Sequence, residues 1–572
     1  MKMILRLLNS KWTKIWFALS AAAFAALQIS RGNIFGMVLN IPIAFVLALF
    51  LEFKYKILDK LFEFKSKKYM LISLPIAIYA VIEIVLAFYS LWIWLFFIAE
   101  NSIAVEIRSL FSEQFLVVGF FIFSAALGTT ALFFVFALIY AVVSRFRIIA
   151  DNAKIIFIGT DMSERIYFAA TVLIFGVSAI MLYNLSPVFW GDQSLHSGYH
   201  DFIFGFDIGY VFHHDAQFYF PSATFRRLFY PLVNFPLALI ARALGRILFF
   251  IPYSFVYFVN LLHIGLITVG GILLARMCIC SKASSKTKRV SKICFLLLYT
   301  VSFPFLVFSI SCERFVLPTF CIILLVYIYI HAPKLKSLAA LAAAGTLTTS
   351  VVTFPFIAYD RNIKTMLLNL VKLIVAFVVI CIFCGVLPKL VNPIQNLFAD
   401  LESFGSGGIS INQKALQFLN FISSCFVSPE TELVHRIDTS DNAPGFEYVV
   451  YTVALPKTVN WFGIVMITLS AAGFIANRKL RFAQMSFSWA LFAVFTLFVV
   501  GWQAKHNESF LSGFYFGWAF FALVFMLFEK LPAKLNALKY ILYSVAFVVM
   551  TAININGIIG LVNYTIQYYP AR

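Results

Sequence analysis

Long apolar runs separated by short charged interruptions make up most of this chain. A run of roughly 17–25 apolar residues is long enough to cross a bilayer as a helix. The first four runs cover residues 15–30, 34–51, 70–97 and 115–143. Lys2, Arg6, Lys11 and Lys14 precede the first; EFKYKILDKLFEFKSKKY, with six lysines, follows the second; Arg145, Arg147, Lys154 and Arg165 follow the fourth. The loop at 100–114 holds three glutamates and one arginine. Basic loops favour the cytoplasmic side, so the pattern puts the N-terminus inside and returns the chain inside after each pair of spans.

A fifth run, 166–186, delivers the chain outside. Residues 228–251 are apolar but carry Arg242 and Arg246. Counted as a span, they would put RMCICSKASSKTKRVSK, a strongly basic loop, outside. The pattern therefore predicts an interfacial helix over 228–246, lying on the outer face with its arginines toward headgroups or an anionic ligand. Further runs stand at 252–275, 293–310 and 315–330. The segment SLAALAAAGTLTTSVVTFPFIAYDRNIK reads as two half-spans turning near 348–353, which a bilayer tolerates only where the loose backbone is buried in protein or lines a cavity. Runs at 373–390, 459–476, 485–500, 511–528 and 541–561 complete the set and leave the C-terminus outside.

The predicted fold is all-α: a polytopic transmembrane helical bundle of about 11–13 spans, with two large extracytoplasmic loops and interfacial helices. It divides into a four-span module at 1–165, a core at 166–390 containing the first outer loop at 187–250, a second outer loop at 391–458, and C-terminal spans at 459–572. The two halves show no sequence repeat, which argues against an inverted-repeat transporter.

Composition excludes a soluble protein. Charged residues make up 12% and hydrophobic ones 62%, where soluble chains carry about a quarter charged. The net charge of +19 sits largely in the loops predicted to be inside, so it reports orientation and not a nucleic-acid partner. The eight cysteines are scattered; Cys381 and Cys384 form a CxxC inside an apolar run with no second pair and read as packing residues. No cleavable signal peptide is evident.

The candidate chemistry lies between residues 187 and 246. This stretch brings together Asp192, Asp201, Asp207 and Asp215, the histidines His196, His200, His213 and His214, and then Arg226 and Arg227. A solvated loop with ordinary surface charges is the alternative reading. Glu313, Arg314, His506 and Glu508 are predicted at the same face and are candidates for the wall of a shared cavity. Mid-span ionisable residues are few, Glu83 and His263 among them, whereas a transporter carries its critical polar groups near the midplane.

The sequence around Gly191-Asp192-Gln193, with GDQSLHSGYHDF and then FYPLVNFPLALIARALG, resembles polytopic glycosyltransferases of the GT-C superfamily. ISCERFVLPTFCIILLVYIYI followed by LAALAAAGTLTTS is similar to that superfamily's middle helices. The resemblance covers residues 166–359 and departs from the pattern at Gln193, where a second acid is common. It implies transfer of a sugar from a polyprenyl-phosphate-linked donor to a glycan, lipid or protein acceptor at the outer face. Such a transfer needs a carboxylate to take the acceptor's proton, for which Asp192 is the candidate, and cations to hold the departing phosphate. Arg226, Arg227, Arg242 and Arg246 are the candidates for that role, with interfacial snorkelling as the alternative. Asp215 and Asp201 are candidates for contacting the acceptor or a metal. The cofactor stays unknown, with a divalent metal left open; adjacent His213 and His214 do not naturally converge on one ion. The expected partners are a polyprenyl-phosphate donor, an envelope acceptor and membrane lipids, without nucleic acid. The expected location is the bacterial cytoplasmic membrane. The competing function is a transporter or flippase of lipids or oligosaccharides.

Overall fold

Apolar helices dominate the observed architecture, as the run lengths require. The computed structural model describes residues 161–190, 202–204, 226–248, 254–279, 285–383, 409–437, 447–502 and 509–571, the short helix Ile72–Ile82, and isolated positions elsewhere. The chain divides into two compact units: 1–158 with 218–224 and 374–391, and 159–217 with 225–373 and 392–572. Apart from Ile72–Ile82, most of the four predicted N-terminal spans lie outside the described residues.

In the second unit the order is α1 (Met162–Leu185), α2 (Tyr230–Ile247), α3 (Ser254–Cys278), α4 (Ser285–Thr300), α5 (Phe303–Ile310), α6 (Val316–His331), α7 (Lys336–Thr346), a 3-10 turn (Thr348–Thr353) and α8 (Phe354–Ala358). Then come α9 (Ile363–Phe383), whose far end belongs to the first unit, α10 (Ile411–Ser424), β1 (Thr431–Ile437), β2 (Glu447–Val453), α11 (Trp461–Asn477), α12 (Arg481–Ala493), a π turn (Val494–Val499), α13 (Gly513–Glu529) and α14 (Asn536–Tyr568). Among the described residues six helices are long and apolar enough to cross a membrane, or up to seven if α4 and α5 form one bent span. The molecule is an integral membrane protein built as a helical bundle.

Local chemistry sets the element ends. Asp161 caps α1 by accepting the Ser163 N–H at 3.1 Å, Ser410 caps α10, and Asn460 caps α11. Pro231, Pro304 and Pro355 sit in the first turns of α2, α5 and α8, where no backbone donor is lost. The predicted span at 293–310 is bent by 61° between α4 and α5. α9 begins ten residues before the predicted span at 373, so Lys364 and Lys372 lie in the helix and not in a loop. The break after α7 falls at Leu347, one residue before the turn predicted at 348–353.

The helical bundle agrees with the all-α expectation, and one small β element is added to it. The segment 391–458, predicted as the second outer loop, contains the antiparallel hairpin β1–β2, with Thr431 opposite Val453 and Ile437 opposite Glu447. Its strands TELVHRI and EYVVYTV are rich in β-branched and aromatic residues, a strand composition that is easily lost among membrane spans. The hairpin is anchored at the end of the last helix, where the Tyr564 and Tyr569 hydroxyls donate to Val449 O at 2.6 and 2.9 Å.

Two kinds of polar contact hold the bundle. At the end where α1 and α4 begin and α3 finishes, Arg276 grips Glu164 through two bonds of 3.1 and 2.7 Å. Lys292 reaches Asp161 at 2.9 Å and Glu164 at 2.8 Å. Nearby in the fold, Lys539 and Glu529 pair at 3.3 Å and link α14 to α13. These ion pairs leave no charge buried alone, which is the costly state. The second kind is amide bonding at breaks. Asn554, fully buried in α14, donates to Val301 O at 2.7 Å and Phe426 O at 2.9 Å and accepts the Ser428 N–H at 2.6 Å. It thereby satisfies backbone groups at the α4–α5 bend and after α10. Close helix approach supplies the rest: a Cβ at Gly473 of α11 would collide with the Leu523 carbonyl of α13.

Asn554→Leu keeps the volume and removes three hydrogen bonds to buried backbone. Unfolding in detergent should show a loss of roughly 2–4 kcal/mol; an unchanged melting temperature would mean that Asn554 does not support the bend. For Asp161, partial burial raises the carboxyl, and the Lys292 ammonium and the Ser163 N–H outweigh it and hold it down at about 2. A depressed carboxylate stabilises the fold above its ordinary value of 3.8, and this contribution disappears as pH falls toward 2. Asp161→Asn should therefore flatten the acid limb of a melting-temperature profile below about pH 4; an acid limb identical to that of wild type would rule this out.

Candidate functional site

Four stretches that depart from regular helix meet in the second unit, and they bring part of the predicted chemistry together. The strip 226–229 leads into α2. Its Arg226 carbonyl accepts the Thr348 N–H at 2.8 Å, and its Phe229 N–H donates to Gly345 O at 2.7 Å. These two main-chain bonds fix the adjacent arginines against the turn after α7. The approach requires glycine at 345, because a Cβ there would overlap the Phe229 side chain.

Each arginine has an aromatic surface. The Arg226 guanidinium lies 4.8 Å from the Trp502 ring centroid and that of Arg227 lies 5.1 Å from Phe315. Arg227 also donates from Nη2 to the Tyr515 hydroxyl at 3.4 Å. Arg314 lies 5.7 Å from the Tyr230 ring. Such contacts favour a cation where water is scarce. Trp502 follows the π turn through Gly501, whose φ of 74° suits glycine. Tyr515 is held by the Trp489 indole N–H, which donates to its carbonyl at 2.6 Å.

The third stretch is 311–315, between α5 and α6. Glu313 is 0% exposed and Arg314 2%, so this pair is enclosed by protein. The Arg314 N–H donates to Glu313 Oε1 at 2.7 Å. Beneath it, Cys312 Sγ and His263 Nδ1 of α3 lie 3.2 Å apart. Tyr515 is within electrostatic reach of Arg227, Glu313 and Arg226 together. Arg314 and Tyr327 are thirteen residues apart around α6, or about 20 Å at the helical rise. Tyr327 contacts Arg276 of the ion network, so the two charged clusters occupy different depths of the bundle.

Of the predicted site residues, the structure brings Arg226, Arg227, Glu313 and Arg314 together. Arg242 and Arg246 are elsewhere: Arg242 lies 5.9 Å from the Phe255 ring, and both stand twelve or more residues along α2 from Tyr230, about 18 Å or further. α2 is the predicted helix, and its exposed Leu232, Ile240 and Ile247 form an apolar stripe. Asp192, Asp201, Asp215, His506 and Glu508 lie outside the described residues. Sequence reading missed Trp502, Tyr515 and Tyr230, since single aromatics among so many carry no distinguishing pattern; only Gly501-Trp502 at a span end was a usable signal.

Three guanidinium groups and one carboxylate make up the charges of the site among the described residues. The planar forks of arginine match phosphate and carboxylate oxygens, so the arrangement is suited to an anion. Among the described residues no three His, Cys, Asp or Glu side chains group as metal ligands. Compared with protein-family models, curated proteins and solved structures, the chain matches none.

Gly345→Ala forces the Phe229 side chain away and strains both main-chain bonds that hold the arginine strip. A stability loss of about 1–3 kcal/mol is expected in detergent unfolding; an unchanged melting temperature would mean that the strip is not set by this approach.

Proposed function

We propose that the protein is a membrane glycosyltransferase that moves a sugar from a polyprenyl-phosphate-linked donor to a cell-envelope acceptor. It works at the outer face of the bacterial cytoplasmic membrane, with the N-terminus inside, the C-terminus outside and about 11–13 spans. The observation that carries this reading is the strip of half-buried Arg226 and buried Arg227, with Arg314 and Glu313 beside it. In the reaction, the acceptor hydroxyl attacks the anomeric carbon of the donor sugar and the bond from that carbon to the phosphate oxygen breaks. Asp192 takes the hydroxyl proton. Arg226 and Arg227 hold the departing phosphate, whose charge grows as the bond breaks. Asp215 and Asp201 contact the acceptor or a divalent metal.

A second reading, a lipid or oligosaccharide transporter, draws on the 61° bend between α4 and α5 and on the π turn. Broken helices of this kind are common in transporters. The charged groups are taken to favour the enzyme, because Arg226, Arg227, Glu313 and Arg314 stand on irregular segments between helices.

The envelope glycans of cells lacking the protein separate the two. Wild type is expected to restore a missing sugar, whereas Asp192→Asn and Arg227→Gln at matched membrane levels are expected to restore about a hundredth or less. Full restoration by both variants would remove these residues from the reaction. Accumulation of an intact carrier-linked glycan on the inner side, with no unmodified acceptor, would favour transport.

A further inference from the structure

Among the described residues, the hairpin β1–β2 has one open edge. β2 is paired on both sides: with β1, and with the strip 202–204 through Phe204 N–H to Tyr451 O at 2.7 Å and Tyr451 N–H to Phe202 O at 3.0 Å. Among the described residues, no strand pairs with the far side of β1. Glu432, Leu433, His435, Arg436 and Ile437 are all exposed there, Leu433 by 44% and Ile437 by 60%.

The direction of each backbone group on β1 is fixed. The Ala454 N–H donates to Glu430 O at 2.9 Å, one step before Thr431 meets Val453. In an antiparallel ladder, hydrogen-bonded and non-hydrogen-bonded pairs alternate. The even-numbered residues of β1 therefore bond to β2, and Thr431, Leu433, His435 and Ile437 turn their N–H and C=O groups to the open edge.

We propose that this edge binds a second copy of the chain, strand to strand and antiparallel, across a dyad at Val434. The sequence of β1 is self-complementary about that residue. Glu432 meets Arg436 of the second copy and Arg436 meets its Glu432, while Val434 meets Val434. These are non-hydrogen-bonded pairs, in which side chains come closest, with Cα atoms about 4.5 Å apart. Leu433 and His435 exchange the outward backbone hydrogen bonds. A register slipped by two residues sets Val434 opposite Glu432 or Arg436, so the centred register is the one that pairs both charges within the strand. Charges on an edge strand ordinarily discourage pairing with other strands; here the same two charges admit this partner. The contact is isologous. Both copies keep one orientation in the membrane when the dyad runs along the membrane normal. Two seven-residue strands form a small contact beside the ~1,200 Å² or more of a stable soluble dimer, so the pair should hold in the membrane and separate on dilution in detergent.

The test is disulfide trapping in native membranes of cells expressing the full chain. Val434→Cys places two thiols across the dyad at a separation a disulfide spans and should give a dimer reversed by reductant. Leu433→Cys, offset from the dyad, and wild type should give little. Adding Glu432→Arg to the Val434→Cys chain sets like charges opposite each other and should lower trapping about tenfold. Further addition of Arg436→Glu restores opposite charges and should restore trapping, which a misfolded chain could not do. Equal trapping of Val434→Cys and Leu433→Cys, indifference to the charge reversal, or capture of a different protein by the Val434→Cys chain would each overturn the proposal.

Discussion

A bilayer gives no water to backbone groups that leave a helix, so each break in a span must be satisfied by protein. The described structure meets that constraint in a few specific ways. The bend between α4 and α5 is covered by Asn554 and by the Phe303 N–H, which donates to Phe426 O at 3.2 Å. The strip before α2 and the turn after α7 satisfy each other. Irregular backbone is thus concentrated where segments can pair, and the same concentration sets the candidate site. Arg226, Arg227, Glu313 and Arg314 all sit on such segments, where side chains from distant parts of the chain can converge.

The two charged clusters differ in kind. In the ion network, Arg276 and Lys292 are matched by Glu164 and Asp161 at hydrogen-bond distance, an arrangement suited to holding helices together. In the other cluster the arginines lie against aromatic rings, and the carboxylate of Glu313 accepts the Arg314 N–H. Aromatic backing attracts a guanidinium and holds it in place, and the planar fork of arginine matches the oxygens of an anion.

Much of the bundle was legible in the sequence, because run length and apolarity determine where helices form in lipid. The apolar runs at 166–186, 252–275, 315–330, 459–476 and 511–528 coincide with α1, α3, α6, α11 and α13, of which α1, α3 and α13 are long enough to cross a membrane. The break near 348 was legible because a single span there would have put the later basic residues, Arg361, Lys364 and Lys372, outside. The bend within 293–310 was not, since it depends on Asn554, 253 residues from the Val301 carbonyl it covers. The hairpin was missed because its strands fall within a segment read as loop. At the site, the charged residues announced themselves individually, but sequence distance concealed which would meet. Arg226, Arg227 and Arg314 converge although 87 residues separate the last two, while Arg242 and Arg246, nearer in sequence, are carried away along α2.

Binding of a lipid carrier's phosphate by the aromatic-backed arginines is the step on which the proposed reaction turns. It is read most directly from the melting temperature of the purified protein with a polyprenyl phosphate and with the matching polyprenol, for wild type and for Arg226→Gln/Arg227→Gln. Wild type should be stabilised by the phosphate and not by the alcohol, and the double variant should fold but lose the difference. Equal stabilisation by phosphate and alcohol, or an unchanged response in the variant, would mean that these arginines do not hold the carrier.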